Sequence, residues 1–451
     1  MTEGLATVEA KPLLSPQEQR RNFRLGVLNG ALFRIGDVFI DTEMVLTWFL
    51  AQLGASNLLI GLVSPLRFGG SFLLQMLVSG YIERRPYKLP FYRSVSVFRV
   101  ATLLAFAALV ALMPVDSPWL IVAFVVALAL FSVGAGVVSI PFMDMVGKVV
   151  APHRRGAFFG QRMFWGGLLA LGGSSAVGFL LAEPEGLRFP RNVAVLFALA
   201  AVFYALTAWA WFLVKEPPSP VLAEPTRRFT AEVRTQFRRG FAVLRENQVY
   251  RRYAAVRLAL TAAGWAAPFY VVYARQELGI SAGVLGLYLG ARTAAGIISN
   301  LVWARISDGQ GNRRLIVVTN LLGLVTPVLV LAMGQLNRVA GPEVSTWLSY
   351  AFAAVFFTAG AYASGSGIGI TNYLLDIAPD AQRPVYLAFT NTLFGLARFT
   401  GVASGLLVDW VGFNALLLLS AAFAAFALLL SFTMVEPRSD LGTGLSGGHA
   451  L

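Results

Sequence analysis

Three charged side chains interrupt one apolar stretch near the start of the chain: Arg34, Asp37 and Asp41. At about 100° per residue they fall within about 60° of one another on a single helical face. Glu43 falls about 120–180° away on the same helix and nearer its far end. Isolated arginines interrupt later apolar stretches at Arg67, Arg99, Arg292 and Arg398. An arginine fork grips a carboxylate or phosphate with two hydrogen bonds. A carboxylate taken out of water gains proton affinity and can exchange a proton near neutral pH. The chemistry these residues suggest is therefore anion recognition and proton exchange. The first half of the chain balances its deep bases (Arg34, Arg67, Arg99) with deep acids (Asp37, Asp41, Glu43), whereas the second half sets Arg292 and Arg398 against none. Those two arginines imply an anionic ligand or a pairing between the halves. Two plainer readings stay open. Arg34 can neutralise Asp37 one turn away, and Arg67 and Arg292 can be structural residues bonded to carbonyls.

Other chemistries lack their residues. The chain has no cysteine, and its two histidines, His153 and His449, stand in separate polar stretches. Neither a disulfide nor a histidine or cysteine metal site is expected. No G-x-x-x-x-G-K-[ST] phosphate loop, paired histidine set or nucleophile elbow occurs. We expect no enzyme, no cofactor and no metal.

The elements that must position these charges are membrane helices. Of 451 residues, 57% are hydrophobic and 13% charged, against roughly 25% charged in soluble domains. Twelve apolar stretches fall at roughly 25–51, 57–82, 89–113, 118–146, 157–182, 192–214, 253–275, 283–306, 315–335, 346–375, 386–408 and 413–434. Each is long enough to cross about 30 Å of hydrocarbon as a helix. At bilayer depth a charge is costly unless it faces a partner or a cavity, which makes every deep charge a functional candidate. By length along their stretches, Asp37, Arg67, Arg292 and Arg398 lie near the midplane. Trp165, Trp265, Phe269, Tyr270 and Tyr373 share that depth, and packing is their default role. Residues 1–24 are polar and carry both signs of charge, so no signal peptide is expected.

The net charge of +13 has a topological reading. Basic residues crowd the even-numbered connections, as with Arg84, Arg85 and Lys88, while the connections after spans 1, 3 and 11 carry none. By the positive-inside rule both termini are cytoplasmic. This use of the charge removes nucleic acid as an expected partner. In the one long connection, Phe229, Val233, Phe237 and Phe241 recur at four-residue spacing among Arg227, Arg228, Arg234, Arg238, Arg239 and Arg245. That spacing predicts a basic amphipathic linker helix, able to meet anionic lipid headgroups.

The chain repeats itself. A shift of 225 residues lays Leu53-Gly54 on Leu278-Gly279, Gly61-Leu62 on Gly286-Leu287, Arg67 on Arg292 and Glu83 on Asp308. Spans 6 and 12 end alike, in Glu216-Pro217 and Glu436-Pro437. Two six-helix bundles in the same orientation follow. After span 8 the segment Ala304-Arg-Ile-Ser-Asp308-Gly309-Gln-Gly311-Asn-Arg313-Arg314 resembles the G-x-x-x-D-R-x-G-R-R/K signature of the major facilitator superfamily, with Ala304 for the first glycine and Gly309 for the first arginine. The first-half copy, Ser79 to Lys88, keeps the acid and basic tail but has Pro86 in place of a glycine. The Pro152-His-Arg-Arg155-Gly156 turn and the Lys215-Glu216-Pro217 exit also look like that family's.

The resemblance implies an all-α membrane protein with 12 transmembrane helices in two pseudo-symmetric bundles. We place the bundles at 25–216 and 253–436, with a tail at 1–24, a linker at 217–252 and a tail at 437–451. By motif position, Glu83 and Asp308 with Arg84 and Arg313 would help to close the cytoplasmic side. An acid facing a helix N-terminus can gain up to about 1–2 kcal/mol. Arg155 and Arg383 are our inferred partners for these acids, and a fixed salt-bridge cluster is the alternative role. The expected function is proton-coupled transport of a small anionic or zwitterionic solute by alternating access. Substrate and proton candidates are Arg34, Asp37, Asp41, Arg67, Arg292 and Arg398. Export of amphipathic compounds, or a non-transporting receptor or assembly role, are the alternatives; span 5 lacks the Gly-Pro pair typical of drug/proton antiporters. We expect a monomer in the plasma membrane of a prokaryote.

Overall fold

A computed structural model describes residues 14–69, 82, 85–218, 238, 240–340, 342–379 and 382–437. Glu83, Arg84 and most of the linker, with its amphipathic pattern, lie outside the described residues. Among those described, every regular element is helical. Nine helices are long and apolar enough to cross a membrane, and one of them, Val385–Phe432, contains two spans that part at Gly412. The twelve-helix, two-bundle expectation holds.

Span 1 begins at a capping box in which Ser15 and Glu18 bond each other's backbone N–H, with Pro16 in the first turn. It does not run straight. Pro16–Val38 ends, and after two turn residues Asp41 caps a π-helical turn, Thr42–Leu46, by accepting from the N–H groups of Glu43 and Met44 at 3.0 Å each. The helix resumes as Thr47–Gln52. An aspartate competes for backbone donors and so favours a cap over a helix interior. This break overturns the helical-wheel geometry, which set Asp41 on the face of Arg34 and Asp37 and turned Glu43 away from it.

Three other spans break as well. Asn57–Ser64 passes into a π-helical turn, Pro65–Gly69, where Pro65 has no N–H to offer the preceding turn. In span 7, Gln248–Ala263 and Tyr270–Leu278 flank a 3-10 segment, Gly264–Phe269, which holds Pro268. Arg383–Ala397 in span 11 runs into a 3-10 segment, Arg398–Val402. The irregular turn of span 1 packs on that of span 7, and the turn of span 2 packs on that of span 11. Non-helical backbone at this depth is tolerable only inside protein or along a cavity. It marks the interface between the bundles.

Packing differs between the two ends of the molecule. At the end away from the termini, one apolar core crosses both bundles, joining Trp48, Phe49 and Phe197 to Phe269, Tyr288 and Phe356. At the terminal end the cores separate. Phe23, Tyr92, Phe158 and Trp211 belong to the first bundle; Tyr250, Tyr253, Tyr373 and Met434 belong to the second. The far-end seam depends on glycine. A Cβ on Gly286 would lie 2.5 Å from the Cα of Gly178, and one on Gly405 would lie 2.2 Å from the Asn57 carbonyl oxygen. Spans 5 and 8, and spans 2 and 11, thus meet backbone to backbone, as small residues permit in membranes. Among the described residues the bundles share one apolar core at the far end and have separate cores at the terminal end.

Candidate functional site

Span 1 delivers its acids to two different places. Asp37 faces into its own bundle, where Arg67 Nη2 bonds its Oδ1 at 2.7 Å and the Tyr204 hydroxyl donates to the same oxygen at 3.0 Å. Arg67 reaches Asp37 from the π-helical turn of span 2. Asp37 therefore pairs with Arg67, in place of the one-turn pairing with Arg34. Arg34 is exposed and packs its stem against Gly166 of span 5.

Arg99 completes this cluster without a carboxylate. Its guanidinium lies 4.3 Å from the Phe131 ring and 4.9 Å from the Tyr204 ring, and its Nε and Nη2 are buried with no hydrogen-bond partner among the described residues. Arg67 shares the Phe131 ring at 5.0 Å. Two guanidiniums thus flank one aromatic face, a favourable but partial substitute for water or an acid.

Asp41 and Glu43 face the other bundle. Arg292 Nη1, on span 8, lies 3.2 Å from Asp41 Oδ2 and 3.2 Å from Glu43 Oε2. Glu43, read from sequence as pointing elsewhere, joins the same cation because the π-helical turn swings it round. This ion triad crosses the interface between bundles, and all three side chains are partly buried. The pairing between halves expected for Arg292 is present.

Arg398 heads the 3-10 segment of span 11 and lies 5.5 Å from the Phe68 ring. Two further deep cations escaped the sequence reading. Arg257 donates to the Tyr253 hydroxyl at 3.0 Å and lies 4.4 Å from the Phe394 ring. Arg162 donates to the Gly26 carbonyl and to Asn29 Oδ1, the latter at 2.9 Å. Both lie within about a turn and a half of the start of their apolar stretches. Their signal was the one used elsewhere, a charge inside an apolar run. Among the aromatic candidates, Phe269, Tyr270 and Tyr373 are buried in the cores.

The terminal end holds the loop candidates. Arg155 bonds the carbonyls of Gly147 and Val150, at 2.9 and 3.4 Å, closing the end of span 4. Asp308 is exposed, and no ion pair to it exists among the described residues. Arg383 is half-buried at the start of span 11. Arg313 donates its backbone N–H to Glu436 at 2.9 Å and its Nη2 to the Phe432 carbonyl at 2.9 Å. In this arrangement the acids seated on helix N-termini are Glu216 and Glu436. Glu216 accepts from the N–H groups of Lys88 and Leu89 at 2.8 Å and from Lys148 Nζ at 2.7 Å. Each ties the exit of its bundle's last span to the entry of that bundle's third. Their signal was the Glu-Pro pair closing both halves.

Outside the apolar stretches, one acid among the described residues is strongly perturbed. Lys215, bonded to Glu18, pulls that carboxyl down from its ordinary value near 4.5 to about 2.

The architecture is that of a two-bundle membrane transporter. Residues 254–448 match the family model of the Major Facilitator Superfamily. No curated protein matches the chain. Among solved structures, a bacterial homologue of the iron transporter ferroportin, in an inward-facing state, is 16% identical with a TM-score of 0.64, covering 92% of this chain and 98% of that one. A D-xylose-proton symporter is 16% identical with a TM-score of 0.64, over 93% and 98%. The xylose transporter XylE from E. coli, inward open, is 16% identical with a TM-score of 0.62, over 92% and 95%. The second half of the chain thus matches the Major Facilitator Superfamily, and the chain as a whole shares the fold of these membrane transporters.

Proposed function

We propose that the chain is a secondary active transporter that moves a small anionic or zwitterionic solute by alternating access, coupled to protons. The observation that carries this reading is the bridge from Arg292 to Asp41 and Glu43 across the interface of the bundles. An ion pair between rigid bodies that must separate supplies an interaction made in one state and broken in the other. When the bundles part, Asp41 and Glu43 lose their cation and become able to take up a proton. With both termini cytoplasmic, as the distribution of basic residues supports, the end with the shared core faces outward and the end with separate cores faces the cytoplasm. Arg34, Asp37, Arg67 and Arg398 serve the same central region in this reading. The loop set of Glu83, Arg84, Arg155, Asp308, Arg313 and Arg383 serves the opposite, cytoplasm-closed state. Asp308 and Arg155 stand clear of each other when that end is open.

The test is radiotracer flux in proteoliposomes under an imposed pH gradient, using wild type, Asp41→Asn and Arg292→Gln. Wild type should accumulate an acidic or zwitterionic tracer down the proton gradient, and both variants should lose gradient-driven accumulation. Gradient-driven flux that is unchanged in both variants would sink the coupling role. Proton-driven extrusion of amphipathic dyes would favour the exporter alternative.

A further inference from the structure

Phe68 stands between two guanidiniums from different bundles: Arg67 lies 5.9 Å from its ring and Arg398 lies 5.5 Å from it. The turns carrying these residues pack directly together, and a Cβ on Gly69 would come within 2.6 Å of the Phe399 ring. The span 11 turn also packs on the span 7 helix that bears Arg257. Arg257 is half-buried and Arg398 is exposed, and among the described residues neither has a carboxylate within ion-pair distance. Their visible partners are a tyrosine hydroxyl and the faces of Phe394 and Phe68. Two cations on packed elements at membrane depth, with no carboxylate paired to them among the described residues, make a site for an anion.

We propose that Arg257 and Arg398 form the subsite for a carboxylate or phosphate group of the cargo, and that through Phe68 this subsite is coupled to the Arg67–Asp37 pair, so that anion and proton bind together. The proposal rests on the transporter reading above and adds the ligand class and the route of coupling. While Asp37 is ionised it neutralises Arg67. A proton on Asp37 cancels that charge, and Arg67 then adds to the positive field at Arg398. An anion at Arg398 and Arg257 acts in return on Asp37, because the two binding events share one coupling energy. The other groups facing Asp37 are Tyr204 from span 6, Arg99 from span 3 and Arg292 from span 8, with Arg34 on its own helix. These groups are cationic or neutral; the other acids of span 1, Asp41 and Glu43, are held by Arg292.

Thermal-shift titration of the purified full chain at fixed ionic strength tests this between pH 6.5 and 8. The probes are succinate, the size-matched neutral succinamide, and sulfate as a non-titrating tetrahedral dianion. A carboxylate-selective site answers to succinate, and a phosphate-type site answers to sulfate. At least one dianion should stabilise wild type where succinamide does not, with affinity rising up to about tenfold per unit fall in pH. Arg398→Gln and Arg257→Gln should each weaken that dianion about tenfold or more, the loss expected for one charge-assisted pair. Asp37→Asn should keep the binding and flatten its pH dependence. If that variant does not fold, the pH slope of wild type against that of Arg398→Gln decides the coupling. Equal stabilisation by succinamide, no stabilisation by either dianion, unchanged affinity in both arginine variants, or a flat wild-type pH profile would each overturn the proposal. Binding is read without a gradient, so lost anion binding refutes the subsite while flux can persist. Intact binding without flux instead refutes the transporter reading.

Discussion

Arg67 and Arg292 occupy the same place in the two halves of the repeat and have opposite fates. Arg67 finds its acid inside its own bundle, at 2.7 Å from Asp37, and is nearly buried. Arg292 finds none in its own bundle among the described residues and reaches two acids of the other, at 3.2 Å each. One pair moves as a unit with its bundle; the other must break for the bundles to separate. A repeat thus fixes where a charge stands, and the residues around it decide whether it is masonry or a latch.

The largest effect should come from breaking the internal pair. Arg67→Leu leaves Asp37 without its cation in a packed bundle and should cost on the order of 3 kcal/mol, read as a clear fall in melting temperature. A melting temperature close to wild type would erase the contrast. Gly405→Ala comes next, because its Cβ would lie 2.2 Å from the Asn57 carbonyl and the seam must give way. Spin-label distances across the far end should lengthen, whereas the bundles' internal distances should not. Arg292→Gln should produce the same opening by a different route with little loss of fold stability. A latch worth about 1–2 kcal/mol corresponds to a five- to thirty-fold change in the ratio of the two states. A large drop in melting temperature with unchanged distances would make Arg292 a second Arg67.

The smallest effect belongs to a pair within one bundle at its exposed surface, Glu18 with Lys215. With Glu18 drawn down to about 2, its contribution is fully present above pH 4.5 and fades as pH falls through 2. Solvent screening keeps that contribution small. Acid denaturation of Glu18→Gln should sit slightly below wild type near neutrality and merge with it below pH 2. Curves that diverge further as pH falls would reverse the sign.

Much of this contrast was legible in the sequence. Hydropathy marked the spans, and the shift of 225 residues paired Arg67 with Arg292 before any coordinates. Partners were less legible, because helical-wheel arithmetic assumes an unbroken helix and span 1 breaks after Val38. That break turns Glu43 toward Arg292 and leaves Asp37 to Arg67. Hydropathy averaging hid Arg162 and Arg257, since a charge near the end of a span lowers the mean no more than a loop charge would. The Glu-Pro exits were visible as repeat markers. That Glu216 seats on the span 3 N-terminus needed three dimensions, because the two lie 128 residues apart.

The glycine seam has a consequence for the Arg292 latch. Where Gly178 meets Gly286 and Gly405 meets Asn57, main chain lies against main chain, and beside the Gly178–Gly286 contact runs a cleft lined by Leu171, Ser174, Phe179 and Leu287. Those contacts hold the two span pairs together without help from any charge. The latch is thereby spared that task, and its strength is free to be set by how readily the protein must open.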